Sequence, residues 1–162
     1  MELNNFAEIY HANFLMVYKV CFAMLKSRPE AEDCAEDTFV KLLEKRPVFL
    51  TEKDAKAWLT ITAMNRCKDH LRSWWHRNRE SMDDLNNELG DSAVSDQGGT
   101  MLDSIQELPM KYRELLILFY YQGYSTDEIA KMLHRPSSTV RNQLKDARQM
   151  LKIRLENDSY GV

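Results

Sequence analysis

Apolar residues recur at spacings of three and four from the first residues of the chain. Leu3, Phe6, Tyr10, Phe14, Val17, Cys21 and Leu25 form one stripe, which predicts an amphipathic helix. A second helix is expected to open at Ser27-Arg28-Pro29, because proline is tolerated in a first turn whose N–H groups have no intrahelical partner. Its inner face would carry Ala31, Cys34 or Ala35, Phe39, Leu42 and Leu43. Pro47 would stop it, since the residue before a proline is pushed out of the α region. After a loop from Pro47 to Glu52, a long helix from about Lys53 to His76 is predicted. Its buried stripe would be Ala57, Trp58, Ile61, Met64, Cys67 or the Lys68 stem, and Leu71.

The periodic pattern then lapses and resumes. Between Glu80 and Thr100 there is no sustained apolar period, and the stretch ends in Ser-Asp-Gln-Gly-Gly-Thr, the composition of a flexible linker. Pro109 opens a helix with Leu115, Leu116, Leu118 and Phe119 on its apolar side, and Gly123 closes it. Ser125 and Glu128 have the spacing of a capping box, starting a short helix that carries Ile129, Ala130 and Leu133. A break at His134-Arg135-Pro136 precedes a last helix with Val140, Leu144, Ala147, Leu151 and Leu155 facing inward. No alternating strand pattern occurs. The expected fold is therefore all-α, with two small helical domains (3–78 and 103–157) joined by a linker over 79–102.

Composition sharpens this reading in one respect. Of 162 residues 44% are hydrophobic, enough for a core, and 5 Gly with 4 Pro argue against a turn-rich all-β protein. The net charge of −3 would argue against a nucleic-acid partner, but it is unevenly spread. Residues 1–79 carry +2, residues 80–107 carry −8 with no base among them, and residues 108–162 carry +3. Both helical segments are thus basic. The 3 cysteines, without a C-x-x-C pair, read as buried thiols in a reducing compartment. The start of the chain has no basic segment ahead of an apolar one, and no apolar run reaches membrane-spanning length. A cytoplasmic protein with no membrane insertion is expected. There is no Gly-rich phosphate loop, no G-x-S-x-G and no H-E-x-x-H, and the 4 histidines fall on different predicted elements. Neither an enzyme activity, a cofactor nor a metal is expected.

Two stretches carry candidate chemistry. A short helix, a tight turn and a longer helix make a helix-turn-helix, whose second helix enters the DNA major groove. Ser137, Ser138, Thr139, Arg141, Asn142, Gln143, Lys145 and Arg148 fall on or near its outer face. Asn and Gln can bond adenine through two hydrogen bonds and Arg can do so to guanine, although any solvated helix face is polar. The run from Met64 to Arg79 holds five bases and one acid around Trp74 and Trp75. Such a helix can track a phosphate backbone while rings stack on unpaired bases. Alternatively one tryptophan packs in the core, since adjacent helical positions diverge by about 100° and cannot be equally buried.

Three stretches, in order, resemble the extracytoplasmic-function (group four) sigma factors of the sigma-70 family. They are Glu30-Ala-Glu-Asp-Cys-Ala-Glu-Asp-Thr-Phe-Val-Lys-Leu-Leu43, then Ala57-Trp-Leu-Thr-Ile-Thr-Ala-Met-Asn-Arg-Cys-Lys-Asp-His-Leu-Arg72. The third runs from Leu108-Pro-Met-Lys-Tyr-Arg-Glu through Gly123-Tyr-Ser-Thr-Asp-Glu-Ile-Ala to Arg135-Pro-Ser-Ser-Thr-Val-Arg. The resemblance implies a domain two and a domain four, and a promoter-specific initiation factor that binds the RNA polymerase core and helps open promoter DNA. It puts Asp33, Glu36, Asp37 and Phe39 on the polymerase, with Leu42 and Leu43 in the core. It puts Asn65 and Asp69 near the base that leaves the stack at the minus-ten element, and Lys68 and Arg72 on phosphates, with Trp74 and Trp75 beside them. The loop Phe49-Leu50-Thr51-Glu52 would receive the extruded base, and Trp58 would pack under the helix. Ser138, Thr139, Arg141, Asn142, Gln143, Lys145 and Arg148 would meet the minus-thirty-five duplex. An anti-sigma factor is a further implied partner. The competing reading is a helix-turn-helix regulator with an N-terminal signal- or partner-binding domain, which would have no need of Asn65, Asp69 and the basic aromatic helix.

Overall fold

A computed structural model describes residues 5–77 and 101–160, which fall in two compact units. Leu3 and residues 79–100 of the expected linker lie outside the described residues. The described residues contain no strand.

The first unit packs α1 (Phe6–Leu25), α2 (Arg28–Lys45) and α3 (Glu52–Arg77) against one another. Each start is capped by a side chain that takes up otherwise unbonded N–H groups. Asn5 Oδ1 accepts from the N–H of Ala7 at 3.0 Å and of Glu8 at 3.4 Å. Ser27 Oγ accepts from Glu30 at 3.5 Å, with Pro29 in the first turn, and Thr51 Oγ1 accepts from Asp54 at 3.1 Å. The helices approach closely because their inner faces use small residues: Ala31, Cys34 and Ala35 on α2, Ala55, Ala63 and Cys67 on α3. Cys21, Cys34 and Cys67, one from each helix, are free buried thiols, and hydrogen bonding with Cys21 and Cys34 pushes the Cys67 thiol up.

The buried stripe of α3 differs from the one its sequence predicts. Met64 and Cys67 are in the core, but Ala57, Trp58, Ile61 and Leu71 are only half-buried, and Ala55, Leu59, Thr60 and Ala63 lie inside. Thr60 is tolerated there because its hydroxyl donates back to the Lys56 carbonyl at 2.8 Å, leaving no orphan polar group. Trp58 flanks the core, with its ring 5.9 Å from that of Phe49.

The second unit contains α4 (Met101–Gln106), α5 (Met110–Leu116), a π-helical turn (Ile117–Tyr121), α6 (Thr126–Leu133) and α7 (Ser137–Tyr160). Met101 and Leu102, expected in the linker, are the first residues of α4. The core is Ile105, Leu108, Leu115 to Leu118, Ile129, Val140, Leu144, Ala147 and Leu151. Phe119, Leu133 and Leu155, expected inside, are half-buried. The wider π turn carries the chain round so that Ile117 and Leu118 stay buried while Tyr120 and Tyr121 emerge. Gly123 then takes a φ of +74°, a conformation that side-chain-bearing residues rarely adopt.

The capping box closes as its spacing predicts. Glu128 N–H donates to Ser125 Oγ at 3.1 Å and Ser125 N–H donates to Glu128 Oε1 at 3.0 Å. This fixes the start of α6 and so the geometry of the turn that follows. Ser125→Ala should lower the stability of the protein by about 1 kcal/mol, read from chemical unfolding. A loss below about 0.3 kcal/mol would mean that the α6–α7 pair holds without its cap.

Candidate functional site

Three helix faces are turned away from the two cores, and each presents a different chemistry. On α3, Asn65, Asp69 and Arg72 share one exposed face, and Lys68 lies half-buried beside them. Arg72 Nη2 reaches Asp69 Oδ1 at 3.2 Å, one turn away, an exposed pair that water keeps weak and exchangeable. His76 falls on the same exposed face, four residues past Arg72, and extends it to the end of the helix. Sequence reading passed over it because a lone histidine carries no motif, although its place in the 3.6-residue period was visible. Trp74 and Trp75 meet edge to face at 5.4 Å, with Trp75 45% exposed and Trp74 half-buried. Just before α3, Phe49 is buried and Leu50 is 74% exposed, so that loop keeps Phe49 as its anchor and leaves Leu50 at the surface.

On α2 the structure corrects the expected set. Asp33 and Glu36 are exposed, but Phe39 is only 2% exposed, enclosed by the rings of Phe6 at 6.4 Å, Tyr10 at 4.9 Å and Phe14 at 5.9 Å. A side chain so enclosed cannot contact a partner without unfolding its neighbours. Leu43, expected inside, is instead half exposed, as is Val40. Asp33, Glu36, Val40 and Leu43 follow one another at three and four residues, so the outer face combines acid with apolar surface. Extending the two acidic positions by the helical period would have found Val40 and Leu43.

Asp37 borders that face, four residues past Asp33 and three before Val40. Its Oδ2 accepts from Arg66 Nε at 2.8 Å, joining α2 to α3. Burial works against the Arg66 charge, but the hydrogen bond from Arg66 to Asp37, with the nearby Cys34 and Asp33, outweighs it and raises the Arg66 pKa. The Asp37 side chain thus ties α2 to α3 while remaining 42% exposed.

On α7, Ser138, Arg141, Asn142 and Lys145 are exposed, and Thr139 is half-buried beside them. Gln143 is not presented in the same way. Its Oε1 accepts from Arg135 Nη1 at 3.0 Å, which engages one of that oxygen's two lone pairs and holds the amide toward Arg135. Arg135 Nη2 is also paired with Glu114 Oε1, whose side chain is 2% exposed. Arg148 is exposed too, but its guanidinium lies over the Phe119 ring at 4.6 Å and near Tyr120 at 5.8 Å. There it edges an open groove of about 440 Å³ with Met101, Leu151 and Leu155, remote from the first turns of α7.

Among the described residues, no group of three or more His, Cys, Asp or Glu is arranged to hold a metal, and no helix is long and apolar enough to cross a membrane.

Comparison with known proteins matches each unit separately. The Sigma-70 region 2 family matches residues 9–77 and the Sigma-70, region 4 family matches residues 99–151. The ECF RNA polymerase sigma factor SigM of Bacillus subtilis is 28% identical over 152 residues, covering 90% of this chain and 91% of its own length. The ECF RNA polymerase sigma factor SigW of the same organism is 25% identical, covering 94% of this chain and 89% of its own length. Among solved structures, the sigma factor RpoE in complex with the anti-sigma factor NepR from Bartonella quintana shares the fold. Its TM-score is 0.73 at 22% identity, covering 96% of this chain and 99% of that one. CnrH in complex with the cytosolic domain of CnrY shares it at a TM-score of 0.67 and 21% identity, covering 94% and 88%.

The reassignment on α2 is open to a direct check. Phe39→Ala should cost about 3–5 kcal/mol in chemical unfolding, as emptying a packed aromatic site does. Leu43→Ser should stay within about 0.5 kcal/mol, as exposed positions do. Similar losses at both positions would return Leu43 to the core.

Proposed function

The chain belongs to the sigma-70 family, in its extracytoplasmic-function group, and from that premise we propose how its exposed faces divide the work. It is a promoter-specific transcription initiation factor: it binds the RNA polymerase core, directs it to a subset of promoters and helps to open them. Sigma factors perform no catalytic step of their own. The protein works on DNA with the polymerase in the cytoplasm, and an anti-sigma factor, the partner seen in its structural neighbours, is its expected inhibitor.

In our reading the outer face of α3 engages the minus-ten element. The observation that supports it is that Asn65, Asp69, Arg72 and His76 lie on one exposed face, with the half-exposed Trp75 beside it. A base leaving the stack costs a few kcal/mol, which contacts to its edge and ring must return. Asn65 and Asp69 supply edge hydrogen bonds, Trp75 and Leu50 supply apolar surface, and Arg72, Lys68 and His76 face the phosphates. The acidic and apolar face of α2, with Asp33, Glu36, Val40 and Leu43, binds the polymerase core. Asp37 contributes by holding Arg66 and Phe39 by packing. On α7, Ser138, Thr139, Arg141, Asn142 and Lys145 meet the minus-thirty-five duplex.

Asn65→Ala with Asp69→Ala should reduce promoter opening, read by permanganate reactivity of unpaired thymines, while polymerase-core affinity stays unchanged. Asp33→Lys with Glu36→Lys should lower core affinity by at least tenfold. If both pairs lower core affinity equally, the division between the α2 and α3 faces is wrong.

The two basic residues on α7 should separate in the same spirit. Arg141→Ala should relax base preference at one minus-thirty-five position, a loss of about 1–3 kcal/mol of discrimination. Lys145→Ala should weaken binding to all sequences alike and lower the salt slope by about one unit. Holoenzyme binding to a randomised minus-thirty-five library at two salt concentrations distinguishes the two. An unaltered preference for Arg141→Ala would leave Arg141 as a phosphate contact.

A further inference from the structure

Arg135 sits in the turn between α6 and α7, after His134 in its left-handed conformation and before Pro136. Its backbone N–H donates to the Ala130 carbonyl at 3.0 Å, which ties the turn to α6. Its side chain reaches two further elements. One guanidinium arm pairs with Glu114 on α5, whose side chain is 2% exposed, and the other donates to Gln143 on α7 at 3.0 Å. Arg135 itself is 26% exposed, and both of these arms point into the unit.

We propose that Arg135 is the positioning residue of the minus-thirty-five reader: it locks α7 to the buried Glu114 carboxylate and so sets the angle at which Arg141 and Asn142 meet base edges, without touching a base itself. Gln143 follows those two residues directly, within the second turn of α7, so holding Gln143 holds their azimuth around the helix axis. A guanidinium is suited to this because its planar fork fixes the direction of both arms at once, whereas a lysine ammonium is a point charge on a flexible stem. Hydrogen bonds that carry charge are also stronger and shorter than neutral ones, and little water competes at a carboxylate so well covered. Base reading needs side chains placed to within a fraction of an ångström, while phosphate contacts tolerate more slack. Loosening this lock should therefore erode discrimination before it erodes affinity.

The inference rests on the reading of the second unit as a duplex reader, and the experiment tests each separately. The full chain is bound to polymerase core and presented with a randomised minus-thirty-five library at two salt concentrations. The unaltered protein is compared with Arg135→Lys and with the double variant Glu114→Leu, Arg135→Met, which removes both charges and leaves no carboxylate buried alone. Core affinity and thermal midpoint are measured alongside. The expected result is core affinity unchanged for both variants, with discrimination between the best and the median site reduced about tenfold and the salt slope unaltered. Arg135→Lys carries the same readout if the double variant does not fold. Full discrimination in a folded variant would make Arg135 a purely structural residue and overturn the proposal. So would a salt slope lowered by about one unit with preference intact, which would mark a phosphate contact. If the unaltered protein shows no minus-thirty-five preference, the reading of the second unit itself fails.

Discussion

Phe39, seated among the rings of Phe6, Tyr10 and Phe14, sets the rotation of α2 about its own axis, and the display of the first unit follows from that rotation. A helix with 3.6 residues per turn places position 40 about 100° round from position 39, so burying Phe39 turns Val40 outward. Val40 is therefore put outside with Asp33 and Glu36, while Leu43, one turn past Phe39, lies at the rim of the buried face and is half exposed. The same rotation brings Asp37 to the seam with α3, where it meets Arg66. α3 in turn buries Ala55, Leu59, Ala63 and Cys67, which leaves Asn65, Asp69 and Arg72 outside. One packed ring cluster thus acts, through helix geometry, on both the acidic and apolar face of α2 and the outer face of α3.

Charge in this protein is informative only after the internal pairs are subtracted. The chain carries −3 overall, a value that hides both basic helical segments. Within those segments Asp37 is paired with Arg66 and Glu114 with Arg135. Each pair withdraws an acid and a base from the surface field together. On the first three turns of α7 this leaves Arg141 and Lys145 exposed, with Asp146 next to them, a modest positive field.

The second unit is organised around turns more than around bulk. The π turn, Gly123 at φ +74° and the capping box of Ser125 and Glu128 follow within twelve residues, and together they aim α6. From there the chain turns through His134 and Arg135 into α7. Arg135 is the point at which local turn geometry and long-range packing meet, since it is held by α6 through its backbone and by α5 and α7 through its side chain.

What the sequence determined by itself was whatever depends on neighbours along the chain. The helix starts at Ser27 and Ser125 were legible because their caps act within three residues, and the stops near Pro47 and Gly123 are equally local. The inward residues Val140, Leu144, Ala147 and Leu151 were legible because a long helix samples its period several times. Tertiary structure decided what depends on residues far apart. In α2 the run from Phe39 to Leu43 fits more than one helix rotation, and only the rings of α1 choose between them. In α3 the large Trp58 and Ile61 look like core, yet close packing against α1 and α2 favours the smaller Ala63 and the self-satisfied Thr60. The contacts of Gln143 with Arg135 and of Arg148 with Phe119 span 8 and 29 residues, so only the fold shows them. The physical reason is the same each time: a helical period fixes which residues share a face, but which face turns inward is chosen by the surface packed against it.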